Sequence, residues 1–499
     1  MAEGRQLLLG LDVGTTATKA LLFDLHGSVV ASAVRPYSLL TPRPGWVEQD
    51  PEDLWRAVVS VTHDVLAQIK PTDTIIALSQ ASQGGTTIPV DAMGFPLCHA
   101  ISWMDTRGTD EAARVQGTLG AEYVRMTTGW PLATTLPLQH IAWLRANRPT
   151  VFAGAHRFVF VNDFITARLT HEHVMNPSDA TMTQLFNISS GTWDEKLLAA
   201  TAIQRESLSP VQPSGTPVAR LSPEASADLG LPVDVLVING AHDQYCAAVA
   251  TGVTEPGKML LSAGTAWVLL VVPQDLQRGL DSRMAISCHA VPGRWGAIRS
   301  LGGVGTSFEW LIAQIYSHGH EVKRASLYAA ANAAAARVPP GANDLCFIPL
   351  AGGHTGNTPD RGGFVDMTIS HTRDTMARAV MEGIAFELRW AIEEIQGKSI
   401  AVDDLTMVGG AAESPLWPQI VADVTELPVV VPAERQAAAR GAAILAGVGA
   451  GVFADIATGF AAFRGAETRL EPQITVTGIY DAAYARYRAR FAAVRETHS

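Results

Sequence analysis

The chain has 499 residues, 47% hydrophobic and 17% charged, a composition that builds large folded cores and excludes a largely disordered chain. A net charge of −11 without any Lys/Arg block gives nucleic acid no basic footprint, and the longest apolar stretch, residues 259–272, is too short to span a membrane. Cys98, Cys246, Cys288 and Cys346 stand far apart with no CxxC pair, and the opening MAEGRQ carries no signal-peptide core, so a reduced, cytoplasmic protein is expected.

Residues 7–11 and 20–23 are short apolar runs bounded by turn residues and read as buried strands. Between them Asp12, Gly14, Thr15, Thr16 and Lys19 line a turn rich in donors, which suits an anion such as a phosphate. An ordinary hairpin accounts for the same residues. His26-Gly27 turns the chain into Val29-Val30, and residues 73–78 and 158–161 read as further strands. His171 and His173 have the i, i+2 spacing of a metal pair, with an exposed hairpin tip as the simpler reading. A strand over 233–238, a Gly-Ala-His-Asp turn and a helix of small residues follow. Strand 259–262, the turn Ala263-Gly264-Thr265 and strand 267–272 then repeat the opening design, so two related domains are expected with a boundary near Gly252. Residues 329–336 form an Ala-rich helix of little information, and 374–396 have helical spacing. A short strand over 405–408 leads into Gly409-Gly410-Ala411-Ala412, and Tyr480, Tyr484, Tyr487, Phe491 and Val494 form a packing stripe. His354 and His371 fall in loops and receive no catalytic role.

No GxxxxGK[ST] loop exists, and LGGVGTS at 301–307 lacks both the lysine and the GxGxxG order, which removes the P-loop and Rossmann readings. Repeated phosphate hairpins point instead to an α/β fold of two ribonuclease H/actin-like ATPase domains facing a central cleft. The stretches LDVGTTATKALLFD, WVEQDPEDLW, ISWMDTRG, NGAHDQYCAAVATGVTEPGKMLLSAGTA, GGFVDMTISHTRDTMARAVMEGIAFELR, VGGAAESPLWPQIVADVTELPVVVP and ARGAAILAGVGAG occur in that order. Together they resemble the FGGY family of carbohydrate kinases over nearly the whole length, the xylulokinases most.

That resemblance implies an N-terminal domain over 1–251, with sugar binding and the catalytic base, and a nucleotide-binding C-terminal domain with terminal helices over 252–499. It implies ATP-dependent phosphorylation of a ketopentose, D-xylulose to D-xylulose 5-phosphate by nearest likeness. L-xylulose, ribulose, erythritol and glycerol are the rival acceptors. A non-catalytic sugar-responsive protein on the same fold is a further reading, opposed by the retention of Asp12, Asp243 and both Gly-Thr turns. Phosphoryl transfer needs positioning, charge neutralisation and a proton acceptor. Asp243 matches the family's base, although a cap on the helix starting at Gln244 explains it too. Asp12 and Asp243 match the Mg²⁺ site. Gly14, Thr15, Thr16 and Lys19 would meet one side of the phosphates, and Gly264, Thr265 and Gly303 the other. Gly409, Gly410, Ala411 and Ser414 would take the adenine and ribose, with Ala411 where a third glycine is common and Glu413 where lysine is frequent. For the sugar, the resemblance implies Gln83, Gly84, Gly85, Trp103, Asp243 and Gln244. Gln83-Gly84-Gly85 aligns with a family Gln-Met-His, so glycine is expected to enlarge the pocket and remove a hydrogen-bonding side chain. Trp103 would pack on the substrate, with a core tryptophan beside Met104 as the other reading. His140, where lysine is usual, reads as peripheral, and a homodimer is compatible with the family.

Overall fold

Two hairpins organise the chain. In the computed structural model, which describes residues 4–317, 324–350 and 362–496, strands β1 (Gln6–Val13) and β2 (Ala17–Asp24) pair antiparallel, and β3 (Val29–Pro36) extends them. Leu7, Leu8, Leu9, Leu11 and Val13 are all buried, as expected of a strand covered on both faces. Strand β4 (Thr74–Ser82) runs parallel to β1, β6 (Leu236–His242) runs parallel to β4, and β5 (Pro217–Arg220) closes the edge antiparallel to β6. Later in the chain β7 (Gly257–Ala263) and β8 (Trp267–Val271) form a second antiparallel hairpin. Beside β7 lie β9 (Val402–Val408) and β10 (Val429–Pro432), both parallel, and then β11 (Glu467–Leu470), antiparallel. Outward from each hairpin the pairing therefore reads antiparallel, parallel, parallel, antiparallel. The sequence repeat is a repeat of sheet topology.

Helices cover these sheets. Helix α1 (Pro51–Leu66) starts at Asp50, whose carboxylate accepts from the Glu52 N–H, with Pro51 at the first turn. It buries Leu54, Val58, Val61 and Val65 in one cluster with β1. Helix α2 (Pro177–Met182) is capped by Asn176, which accepts from the Asp179 N–H at 2.9 Å, and α3 (Asp243–Thr251) continues directly from β6. The later helices are α4 (Arg324–Ala336), α5 (Arg373–Gly397), α6 (Trp417–Thr425), α7 (Ala437–Gly449) and α8 (Ile474–Glu496). On α8 Tyr480, Tyr484, Tyr487 and Phe491 are buried, as a packing stripe should be.

The chain divides into two units: Met1–Glu255 with Asp275–Ala297 and Gln436–Gly465, and Pro256–Gln274 with Ile298–Arg435 and Ala466–Ser499. Close backbone contact draws α7 into the first unit. A Cβ on Gly10 would lie 1.9 Å from the Ala439 carbonyl oxygen, and one on Gly441 would lie 1.9 Å from that of Cys246.

Two local expectations change. Gly240, Ala241 and His242 are strand, not turn, because parallel pairing carries β6 on to His242 opposite Ser82. A Cβ on Gly240 would lie 1.7 Å from the Gln80 carbonyl oxygen, so only glycine lets the two strands approach there. His171 ends the helix Val161–Thr170 in a left-handed conformation (φ 64°) and is exposed, so the segment is a helix terminus and not a hairpin tip. Among the described residues no group of three His, Cys, Asp or Glu could hold a metal, and no helix is long and apolar enough to cross a membrane.

Two histidines belong to the interior. His140 is fully buried with Nδ1 3.0 Å from Thr87 Oγ1, a core position. His289 accepts from the Val291 N–H at Nδ1, so its Nε2 proton goes to the Val253 carbonyl at 3.1 Å. Burial pushes His140 down to about 3 and His289 to about 4. Both stay neutral in the folded chain while the unfolded chain protonates near about 6.5. Stability present above that pH is therefore lost as pH falls, by about 1.4 kcal/mol per pH unit per histidine. Calorimetry from pH 7.5 to 4.5 should show the first unit's transition falling with pH, and a shallower slope in His289→Gln; equal slopes would refute the assignment.

Candidate active site

Strands β1, β4 and β6 run parallel and end level with one another, Val13 opposite Ser82 and Ser82 opposite His242. Open α/β sheets bind ligands beyond the carboxyl ends of such strands. This edge brings Asp12, Gln83 and Asp243 together. Asp12 has a side chain only 14% exposed, with Lys19 Nζ at 3.4 Å. Burial pushes its carboxyl up to about 6; the Lys19 ammonium opposes that shift and the negative charge of Asp243 adds to it. Asp243 opens α3 with a side chain one-third exposed. The cap position belongs to His242, and no side chain caps the helix, so Asp243 does not have the capping role. Two carboxylates that feel each other's charge, beside a turn of donors, suit a hard divalent cation such as Mg²⁺, which takes one or two carboxylates and keeps oxygens of water and phosphate.

The turn itself is held from outside. Gly14 N–H donates to the Ala17 carbonyl at 3.0 Å. Gln83 Nε2 donates to the Gly14 carbonyl at 3.1 Å and to Gln49 Oε1 at 3.0 Å, while Gln49 Nε2 donates to the Thr15 carbonyl at 2.8 Å. The Trp103 indole donates to Thr15 Oγ1 at 3.0 Å, and with 42% exposure this ring is not a core tryptophan. Thr16 is exposed, and Gln244 lies half-buried as the second residue of α3. Gln49, buried within WVEQDPEDLW, had no chemical signature in sequence; only its two amide contacts reveal it.

The space expected over Gly84-Gly85 is filled. A Cβ on Gly84 would lie 2.4 Å from Met182 Sδ and 2.7 Å from His242 Cδ2, and one on Gly85 would lie 2.9 Å from Leu136 Cδ2. Gly85 also has φ +74°, where a side chain strains the backbone. The pair does not enlarge a pocket; side chains distant in sequence occupy the room. Replacing Gln49 by alanine should leave the buried Gln83 amide with one partner fewer and cost about 1–3 kcal/mol. Chemical denaturation measures that loss, and an unchanged midpoint would show that Gln49 does not brace the turn.

The second unit carries its own cavity of about 760 Å³. Its lining includes Gly264 and Thr265 from the β7–β8 turn, Gly410, Ala411 and Ser414 after β9, and Trp417 of α6. Gly409, next to the lining, has φ +92°, and a Cβ there would lie 2.9 Å from the Ala263 carbonyl carbon. Gly303 caps the helix Val304–Leu311, in which Gly305 joins the lining; a Cβ on Gly305 would lie 2.3 Å from the Gly264 carbonyl oxygen. A 3₁₀ turn over Gly410–Glu413 precedes the helix that begins at Trp417, and Ser414 Oγ accepts from the Trp417 N–H at 2.9 Å. Ser414 Oγ also donates to Asn332 Oδ1. Glu413 pairs with Arg435 at 3.1 Å. The Ala-rich helix α4 supplies one wall through Ala325, Ala329, Asn332, Ala333 and Ala336. Those residues share one helical face, so the composition that reads as uninformative makes a flat wall of methyl groups. His354 lies outside the described residues, and His371 stays a loop residue with Nε2 3.0 Å from the Asn343 carbonyl oxygen.

The family models for FGGY carbohydrate kinases match this chain twice, the N-terminal domain over residues 7–250 and the C-terminal domain over 259–450. A xylulose kinase of Staphylococcus epidermidis is 29% identical over 489 residues, 97% of this chain and 96% of that one. A gluconokinase of Bacillus subtilis is also 29% identical, over 448 residues covering 88% of this chain and 86% of its own. The crystal structure of a xylulose kinase from Rhodospirillum rubrum matches with a TM-score of 0.87 at 27% identity, over 98% of this chain and 99% of that one. The doubled hairpin sheet is thus the actin-like ATPase fold of a sugar kinase, and the chain belongs to the FGGY family of carbohydrate kinases.

Proposed function

We propose that the protein transfers the γ-phosphoryl group of ATP to a hydroxyl of a ketopentose, D-xylulose first among them, in the cytoplasm. The observation that carries this reading is the meeting of Asp12, Lys19, Gln83 and Asp243 at the level ends of β1, β4 and β6. Asp243 accepts the sugar hydroxyl proton as the phosphoryl group leaves the nucleotide. Trp103 packs against the carbon chain, and Gln83 and Gln244 orient its hydroxyls. Gly14, Thr15, Thr16 and Lys19 in the first unit, and Gly264, Thr265 and Gly303 in the second, meet the phosphates; Gly409, Gly410, Ala411 and Ser414 take the base and ribose. Asp12 and Asp243 would hold Mg²⁺, which when bound neutralises phosphate oxygen charge.

A ketose fits better than a sugar acid, although the gluconokinase relative keeps gluconate as the second reading. The side chains standing over Gly84 and Gly85 are Met182, His242, Leu136 and Trp103. None is a fixed cation, and burial pushes His242 below its usual range, so these side chains offer a sugar acid's carboxylate no full positive charge. Wild-type protein with Mg-ATP should release ADP fastest with D-xylulose in a panel that includes L-xylulose, both ribuloses, glycerol, erythritol and gluconate; a preference for gluconate would reverse the choice. Asp243→Ala should lower the sugar-dependent rate about 10²- to 10⁴-fold, and a near-wild-type rate would remove Asp243 as the base. Ala333→Trp, which fills the second unit's cavity, should raise KM for ATP at least tenfold at unchanged melting temperature; an unchanged KM would place the nucleotide elsewhere.

A further inference from the structure

His242 stands beside Asp243 with no part in the chemistry above. Its ring is almost wholly buried, and its Nδ1 has no partner there. Its Nε2 lies 3.3 Å from Asp243 Oδ1. Its backbone N–H donates to Ser178 Oγ at 2.9 Å, and Ser178 Oγ donates in turn to Asn176 Oδ1 at 2.6 Å. The same short segment, Asn176 through α2, sends Met182 over Gly84. The ring itself fits between Tyr245, 5.9 Å away by centroids, and the bare backbone of residue 84, where any Cβ would come within 2.7 Å of Cδ2. Backbone, ring plane and carboxylate neighbour are therefore fixed together.

We propose that His242 is a positioning residue for the Asp243 carboxylate, and that residue 84 is glycine so that the imidazole can stand where it does. The inference rests on Asp243 being the proton acceptor. A buried imidazole keeps its single proton where an acceptor exists; Nδ1 has none and Nε2 faces the carboxylate, so the proton lies on Nε2. That N–H faces Oδ1 at 3.3 Å, a charge–dipole contact that biases this oxygen toward the imidazole and leaves the other to face the sugar hydroxyl. Asp243 heads a helix with a side chain one-third exposed, so without this neighbour its rotamers are loosely held. An error of about 1 Å in a reacting group can cost about a hundredfold in rate.

The test measures sugar-dependent ADP release for wild type, His242→Leu, His242→Gln, Gly84→Ala, Asp243→Ala and the pair Gly84→Ala with His242→Leu. His242→Leu keeps the bulk and removes the N–H; it should lower kcat about ten- to a hundredfold while KM for the sugar moves less than about threefold. His242→Gln, whose amide nitrogen can take the place of Nε2, should recover most of that loss. Gly84→Ala should also lower kcat, by displacing the ring, and should add nothing in the His242→Leu background. Wild-type kcat in His242→Leu overturns the proposal, and so do equal losses in the Leu and Gln variants, which would mark packing alone. If His242→Leu does not fold, His242→Met is judged by the same criteria. Absence of turnover by the wild type with every acceptor overturns the functional reading and this proposal with it. Turnover that survives Asp243→Ala removes the base, whatever His242 does.

Discussion

The site depends on one constraint: three parallel strands end at the same level and deliver two carboxylates to one edge. Neither Asp12 nor Asp243 is remarkable alone, but β1 and β6 both pair with β4, so their ends cannot drift apart without breaking the ladder. The charge that results is not balanced from within. Lys19 offsets part of the burial cost at Asp12, yet the carboxyl is still held at about 6, well above its usual range. A site left short of positive charge in this way favours a cation, and the divalent ion proposed above would supply that charge.

The same sheet order carries two different surroundings, because topology fixes positions and side chains fix what lines them. In the first unit the hairpin turn is wired to polar neighbours, Gln49, Gln83 and Trp103, each donating to an atom of the turn or its surroundings. In the second unit the equivalent turn is approached by glycine and alanine, with Gly305 against the Gly264 carbonyl and an alanine face across the cavity. Polar wiring suits a small hydroxylated molecule, for which unpaired groups are costly and therefore selective. A flat apolar wall suits a planar base, which gains from surface contact and needs few directed bonds.

Much of this was legible in the sequence, and for identifiable reasons. The strands, the repeated hairpin and the terminal aromatic stripe rest on apolar periodicity and turn residues, which are local signals. Asp12, Gly264 and Gly409 stand out because a charge or a glycine interrupts an apolar run. What escaped was set by contacts distant in sequence. Gln49 looks like any surface amide until its two partners, 34 residues away in each case, are seen. The alanines of α4 carry no signal of their own and matter through the face they share. Strand β6 outran its expected end because its pairing with β4, and not its own composition, decides where it stops.

Glycine shows most clearly why motif and packing must be read together. At Gly410, where a Cβ would meet nothing within 4 Å, the missing side chain leaves backbone bare beside a cavity, the arrangement a close-lying ligand needs. At Gly84 the identical omission leaves no cavity, since Met182 and His242 take the volume and one of them reaches the carboxylate of Asp243. From the sequence alone both positions read as space. The difference lies in a short helix nearly a hundred residues downstream, α2, whose Ser178 and Met182 fix the incoming ring and the wall above it. The turn after β4 and α2 therefore pack as one arrangement, and exchanging the turn residues without α2 would create a clash where a new contact was intended.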